Sequence, residues 1–338
     1  MLGTSAEGTD GHGHGAGHEP FHEGPGLGLQ VQELELSFRA NVDPYLRGDF
    51  YLAATPEQLE IEEAFISTLA LPGGLKARAG WFRPSFGRFN GQHYLETQPF
   101  VDQPLPNRRF LGPEGLRSLA VELSWLMPLP WYAMLYATVG TAQDETSFGG
   151  DPHTMQGPAD VLTVLRLEQF HDLSDRWSLK WGLSFAQGPH GEVARTEVAG
   201  VDVYLRWRDV ETVRYVALQF EGMVRRRHTD VGEGVLEGAA YAQLDWRIDR
   251  HWELALRGDL AGWPEAWDVR AGSPPLDGFA VLGRQERLAL AGSYYASEFH
   301  RWRLQYALDH VQAMGGRTVH EVFLQYQAVL GAHGAHPF

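Results

Sequence analysis

Histidines concentrate at the N-terminus and form the set of residues best suited to metal chemistry. His12, His14, His18 and His22 lie among glycines and beside acidic side chains. Neutral imidazoles bind borderline divalent metals, so one interpretation of this set is a site for such a metal, Zn²⁺ among them, and the alternative is an inert solvated tail. His18 and His22 also match H-E-x-x-H, but Pro20 and the neighbouring glycines disfavour the helix that a zinc protease needs.

The sequence gives little support for an enzyme active site. The chain has no cysteine, which excludes thiol catalysis, disulfides and cysteine zinc sites. The sequence Gly182-Leu183-Ser184-Phe185-Ala186 resembles a nucleophile elbow, but it ends in alanine and lies within an alternating segment. We therefore expect no enzyme and no required cofactor. The net charge of −15 also argues against a nucleic-acid partner.

The segments that must position any functional residue alternate between apolar and polar side chains. Between residues 33 and 54 the even positions are mostly apolar and the odd ones mostly polar. The same period recurs near residues 177–185, 201–208, 236–248, 252–260, 302–309 and 321–328. A period of two indicates β-strands. Because the phase persists through 33–54, we expect one long strand there rather than a hairpin.

Short and long connections alternate along the chain, as in outer-membrane barrels. Short turns fall near 128–130, 173–176, 209–213, 248–251 and 299–301, and long loops near 88–115, 143–159, 188–195, 227–233, 263–283 and 312–317. The predicted fold class is all-β: a transmembrane up-and-down antiparallel β-barrel of about 14 strands (range 12–16). It occupies residues 30–338 and follows a disordered His/Gly-rich tail, residues 1–29. An even strand count would place both termini, and the tail, on the periplasmic side.

Strand length and tryptophan placement favour a membrane over water. The alternating segments run for about 10–15 residues, whereas soluble strands average ~5–6 and membrane strands need ~9–11. Seven of the eleven tryptophans lie beside the short turns, as an interfacial girdle requires: Trp125, Trp131, Trp177, Trp207, Trp246, Trp252 and Trp302. A soluble β-protein is the alternative.

Several short motifs resemble those of a known family. They are Val42-Asp43-Pro44-Tyr45, Glu62-Glu63-Ala64, Leu71-Pro72-Gly73-Gly74-Leu75, Gly80-Trp81-Phe82-Arg83-Pro84-Ser85-Phe86-Gly87, Phe100-Val101-Asp102, Arg108-Arg109-Phe110 and the closing Phe338. The chain resembles porin-type bacterial outer-membrane barrels related to phosphate-selective and dicarboxylate-type porins. One branch of these is often labelled zinc-regulated outer-membrane receptors.

The resemblance implies a location and a set of partners. The location is the outer membrane of a Gram-negative bacterium. The partners are outer-membrane lipid, lipopolysaccharide and the barrel-assembly machinery, and the assembly is a monomer or a homotrimer. The sequence begins without a recognisable signal peptide, so an outer-membrane location requires that a leader has been removed.

Two sets of side chains would control passage through such a barrel. The inward rows predict a pore lining of mixed charge: Arg206, Arg208, Glu221, Asp245, Arg247, Glu253, Arg257, Asp259 and Arg303. Loop 88–115 predicts a constriction in the lumen, with an extracellular cap as the alternative, and its candidates are Arg88, Asn90, His93, Asp102, Arg108 and Arg109. The predicted function is passive diffusion of small hydrophilic solutes. The alternative is a metal-binding, zinc-related protein that uses the barrel as an anchor.

Overall fold

The structure, a computed structural model, describes residues 28–56, 58–92, 97–142, 146–149, 160–190, 194–228, 234–263, 283–312 and 316–330. These residues form one antiparallel sheet of 15 strands, each paired with its neighbours in the chain. This confirms the all-β, up-and-down prediction and its range of strand number. The histidine tail and the closing Phe338 lie outside the described residues.

The strands have the following bounds: β1 (Leu34–Asn41), β2 (Leu46–Ala54), β3 (Leu59–Thr68), β4 (Leu75–Phe82), β5 (Ser118–Leu126), β6 (Tyr132–Thr141), β7 (Val161–Asp172), β8 (Trp177–His190), β9 (Ala194–Arg208), β10 (Tyr215–His228), β11 (Gly234–Arg247), β12 (Trp252–Trp263), β13 (Gln285–Ser297), β14 (His300–Val311) and β15 (Arg317–Ala328). A 3-10 turn (Pro72–Gly74) precedes β4, and a short helix, α1 (Leu105–Leu111), lies between β4 and β5. Within the described chain, no helix is long and apolar enough to cross a bilayer.

The sheet is apolar on its outer face and polar on its inner face. Leu183, Leu244 and Leu256 are exposed on the outside, while inward charged side chains such as Asp202 and Arg303 are fully buried. A soluble sheet buries its apolar face and exposes its polar one. The soluble alternative is therefore wrong, and the outer wall is suited to lipid.

Aromatic side chains collect at the short-turn end of the wall. Trp177 and Trp207 are cross-strand partners on β8 and β9. Trp252 packs on Tyr294 with ring centroids 4.9 Å apart, and Trp302 packs on Tyr326 at 4.7 Å. Indole and phenol rings with one polar edge favour the membrane–water interface, so these pairs form the predicted girdle.

The segment 33–54, expected to be one long strand, is a hairpin of β1 and β2. The Asp43 carboxylate accepts hydrogen bonds from the backbone N–H groups of Tyr45 (2.7 Å) and Leu46 (2.8 Å), which stabilises the turn. Cross-strand partners share parity, as in Arg39 with Asp49 and Phe38 with Phe50. Since odd positions face inward on both strands, the alternation runs through the turn without a break. Periodicity therefore could not reveal this hairpin.

An odd strand count separates the two ends of the sheet. Leu34 begins β1 at the long-loop end, and Ala328 ends β15 at the short-turn end. The expectation that both termini share one side is therefore wrong for the described chain. No ladder joins β1 to β15 in the part of the chain that the structure describes. Near this seam, the Gln325 side chain donates to Gln32 Oε1 at 2.5 Å.

Candidate functional site

Residues 83–117, here called the plug segment, connect β4 to β5, and their described parts, 83–92 and 97–117, fold into the lumen. Helix α1, within this segment, packs against β10, β11 and β12. Its apolar side chains, among them Phe100, Leu105 and Phe110, are almost completely buried. The structure thus places this loop inside the barrel, where the constriction hypothesis expects it, and not above the barrel as a cap.

The first part of the plug segment is bonded to the wall and to its own far end. Arg88 Nε donates to Gln219 Oε1 at 3.2 Å, and its guanidinium lies 3.8 Å from the centre of the Tyr204 ring. Asn90 Oδ1 accepts the Leu116 N–H at 2.8 Å, and its amide donates to the Leu116 carbonyl at 3.1 Å. Asn90 therefore closes the loop rather than facing a passage.

Asp102 joins the plug segment to three strands of the wall. Its carboxylate accepts hydrogen bonds from Arg257 and Gln305, both at 2.9 Å, and forms an ion pair with Arg287 at 2.5 Å. Arg257 also donates to the Asp102 carbonyl at 3.0 Å. Burial opposes ionisation, but the Arg257 and Arg287 guanidinium groups hold the pKa of Asp102 below its usual range.

The remaining predicted constriction residues differ in their surroundings. Arg109 forms an ion pair with Glu237 on β11 and donates to the Gly283 carbonyl at 2.6 Å. Arg108 lines the space left between the plug segment and the first strands. His93 lies outside the described residues.

The predicted pore-lining residues lie on the inner face, but most of them are buried under the plug segment. Arg303 Nη2 donates to the Gln98 carbonyl at 2.6 Å, and Asp259 accepts the Leu105 N–H at 3.0 Å. Glu221 accepts the Arg88 N–H at 3.2 Å. These groups therefore anchor the plug in place of lining an open channel.

The lining residues nearer the short-turn end bond mainly to aromatic and amide side chains. Glu253 accepts hydrogen bonds from the hydroxyls of Tyr215 (2.7 Å) and Tyr295 (2.5 Å), and Asp245 accepts from Gln243 at 3.0 Å. The other three are arginines: Arg206 stacks on Tyr215, Arg247 stacks on Tyr295, and Arg208 is exposed at the strand end.

Sequence reasoning missed several plug contacts. Arg287 on β13 and Gln305 on β14 bind Asp102, and the Gln98 carbonyl accepts hydrogen bonds from both Arg301 and Arg303. The alternation across residues 285–295 could have identified Arg287 as inward-facing. A backbone carbonyl such as that of Gln98 leaves no signal in the sequence.

A cavity of about 90 Å³ remains between the plug segment and the first strands. Its wall is rich in carboxylates, with two guanidinium groups and amides between them: Gln30, Gln32, Glu33, Glu60, Glu62, Arg83, Asp102, Gln103, Arg108 and Glu114. Burial, with Glu62 and Glu35 nearby, raises the pKa of Glu33 to about 8. In the described part of the lumen, this cavity lies next to β1, where the plug segment does not fill the space.

Known proteins resemble this chain in sequence and in fold. An uncharacterized protein from Aquifex aeolicus is 31% identical over 364 residues, covering 97% of this chain and 73% of the relative. No family model matches the chain.

Three solved outer-membrane structures share the architecture. The anion-selective porin from Comamonas acidovorans has a TM-score of 0.57 and 11% identity over 88% of each chain. The outer membrane channel DcaP of Acinetobacter baumannii has a TM-score of 0.56 and 10% identity, covering 88% of this chain and 85% of that one. Pseudomonas putida OprB has a TM-score of 0.54 and 9% identity, covering 84% and 82%. At these identities the likeness shows a porin-type barrel fold and no more.

Proposed function

The chain belongs to the same family as the uncharacterized Aquifex aeolicus protein, and from that premise we propose that it is a porin-like channel of the bacterial outer membrane. Its cargo would be small hydrophilic solutes, and it would carry out no catalysis. The observation that carries the proposal is the distribution of side chains on the sheet: the outer wall is apolar, and the lumen that it surrounds is lined by charged and amide side chains.

The outer-membrane location rests on the wall and on the fold. Exposed leucines cover the outer face, and tryptophans border it at the short-turn end. In hydrocarbon every backbone polar group needs a partner within the protein, and an up-and-down sheet supplies these partners from strand to strand. The architecture is that of the outer-membrane porins reported above.

The contents of the lumen determine the proposed mode of passage. The plug segment is held by ion pairs and by hydrogen bonds to backbone carbonyls, as at Asp102 and Arg303. Bonds of this kind can break and re-form in water. The plug also packs apolar side chains such as Leu105 and Phe110 against the wall, so its release must expose these side chains as well. We therefore infer a channel that is closed at rest and conducts when the plug segment leaves its seat.

A homotrimer that contacts lipid and lipopolysaccharide fits this proposal. An outer membrane protein of Vibrio cholerae, OmpT, described in a trimer form, has a TM-score of 0.50 and 9% identity. Chemical cross-linking of the protein in native membranes tests the assembly. The zinc-related alternative depends on His12, His14, His18 and His22, which lie outside the described residues, and it stays a prediction.

Planar-bilayer recording of the full chain, refolded in detergent, tests the channel proposal. We expect brief, infrequent openings separated by long closed periods. A matched recording of the empty detergent controls for artefacts. Complete silence of both the wild-type protein and a variant with a weakened plug would contradict the proposal.

A further inference from the structure

Three carboxylates meet where the chain enters the sheet. Glu33 precedes β1, Glu35 lies on β1 and Glu62 lies on β3, and one oxygen of each lies within 4.8 Å of the other two. Glu62 is buried, and Glu33 and Glu35 are half-buried. Carboxylates this close repel one another unless a positive charge lies among them.

A buried amide oxygen at the same cavity points independently to a ligand. Gln103 is only 6% exposed and lines the cavity together with Glu33 and Glu62. Its Nε2 donates to the Pro113 carbonyl at 2.6 Å, while its Oε1 has no hydrogen-bond partner among the residues described. Buried acceptors normally have a partner, so this oxygen calls for a donor or a cation.

The charge of the carboxylates themselves favours a divalent ion. Arg83 donates to Glu62 at 2.9 Å. Three ionised carboxylates carry three negative charges, and a divalent cation bound among them would remove most of their mutual repulsion. Glu60 and Glu114, nearby on the cavity wall, both pair with Arg117 at 2.7 and 2.5 Å.

We propose that Glu33, Glu35, Glu62 and the Gln103 carbonyl oxygen form a site for one hard divalent cation, Ca²⁺ above all. Carboxylate and amide oxygens are the ligands that Ca²⁺ prefers, at about 2.3–2.6 Å. Ligands on opposite sides of such an ion therefore lie roughly 4.6–5.2 Å apart, which suits oxygens spread over 4.8 Å. Mg²⁺ needs shorter bonds and stricter octahedral geometry, so it should bind more weakly here.

The bound ion would connect the plug to the free edge of the sheet. Its ligands come from the residues entering β1, from β1, from β3 and from the plug segment. It would thereby fix the first strand, which has no partner on its other side in the described sheet. The inference concerns binding alone and does not require that the protein conducts.

Calorimetric titration of the full chain with Ca²⁺ tests the site. The protein is refolded from inclusion bodies, so that it carries no lipopolysaccharide, and is treated with a chelator first. Calcium is chosen because imidazoles bind it poorly, so the histidine tail does not interfere. We expect one ion per chain, and at least a tenfold weaker affinity in Glu33→Gln and in Gln103→Leu.

A matched carboxylate elsewhere supplies the control. Glu286→Gln alters an exposed glutamate that pairs with Arg284 on the outer wall, and it should bind Ca²⁺ as the wild type does. Gln103→Leu removes the unsatisfied oxygen without removing a charge, but it also removes the donor to the Pro113 carbonyl, so circular dichroism must show that each variant is folded. Absence of binding by the wild type, or equal affinity in all four proteins, would overturn the site whether or not the channel conducts.

Discussion

Asp102 is the residue whose loss should release the plug segment most directly. It belongs to the plug, accepts hydrogen bonds from Arg257 and Gln305, and forms an ion pair with Arg287; these three residues lie on neighbouring strands. We predict that Asp102→Ala opens the channel while leaving the barrel folded. The wall arginines keep other partners, since Arg257 also binds Asp259 at 3.0 Å and Arg287 also binds Glu321 at 2.6 Å.

The size of the effect follows from the bonds that are lost. Hydrogen bonds to charged groups are each worth about 1.5–3 kcal/mol, and breaking a buried ion pair costs about 3–5 kcal/mol. Because the arginines keep their other partners, the loss is at the lower end of this range, and we expect Asp102→Ala to destabilise the seated plug by ~3–4 kcal/mol. Each ~1.4 kcal/mol changes an equilibrium about tenfold. The population with a displaced plug should therefore rise by about two to three orders of magnitude.

Single-channel recording in planar bilayers measures this change as open probability. Asp202→Ala is the matched control, because Asp202 is also a buried aspartate and pairs with Arg166 on the wall at 2.5 Å. No contact among the described residues joins its side chain to the plug segment. We expect frequent openings from Asp102→Ala and wild-type behaviour from Asp202→Ala. An Asp102→Ala protein that shows native circular dichroism and opens no more often than wild type would refute the reasoning.

Three further predictions concern the wall and the response to pH. Gly80 has a φ of +141° and an added Cβ would lie 2.3 Å from the Ala64 carbonyl oxygen, so Gly80→Ala should destabilise the barrel by about 1–3 kcal/mol in urea unfolding from liposomes. Gly258→Ala, where nothing lies within 4 Å of the added carbon, should unfold as wild type, and equal loss in both would contradict the steric account. Leu244 is exposed on the outer face, so Leu244→Arg near the midplane should lower the free energy of unfolding by about 2–4 kcal/mol in the same assay, and Leu244→Phe should leave it nearly unchanged. If Leu244→Arg were as stable as wild type, this face would not contact lipid. Because the pKa of Asp102 is lowered, its contribution is complete above ~3.9 and is lost only as the pH falls through the lower folded-state value. The difference in open probability between wild type and Asp102→Ala should therefore be the same at pH 7 and pH 5, and a difference that shrinks by pH 5 would contradict this.

The alternation of side chains, together with strand length and tryptophan placement, was sufficient to predict the wall. The period of two indicates the strands and their two faces, and the long segments with tryptophans at one end indicate that the apolar face meets lipid. The same signal failed at the β1–β2 hairpin, because paired residues such as Phe38 and Phe50 have the same parity. One missed turn changed the strand count from even to odd and reversed the expected position of the N-terminal end.

The plug was predictable as a loop but not as a packed structure. Its length and its content of proline, asparagine and arginine suggested a constriction, and Asp102 was among the candidates. Its partners come from residues more than 150 positions away, such as Arg257 and Gln305. Such contacts depend on how the barrel closes around the segment, which the local sequence does not encode. Several of the charges expected to line open water, among them Arg257, Asp259 and Arg303, are therefore found bonded to the plug.

Reversible locking of the plug segment tests the central claim, a lumen closed by residues 83–117, most directly. Gln243 Nε2 on β11 donates to Gln98 Oε1 of the plug at 3.2 Å, and the chain contains no cysteine. Gln98→Cys and Gln243→Cys, introduced together into Asp102→Ala and joined by a short bis-methanethiosulfonate cross-linker, which attaches to each cysteine through a disulfide, should silence the channel. Reductant should restore its openings in the same bilayer. Openings that continue unchanged while the two cysteines are cross-linked would contradict the account.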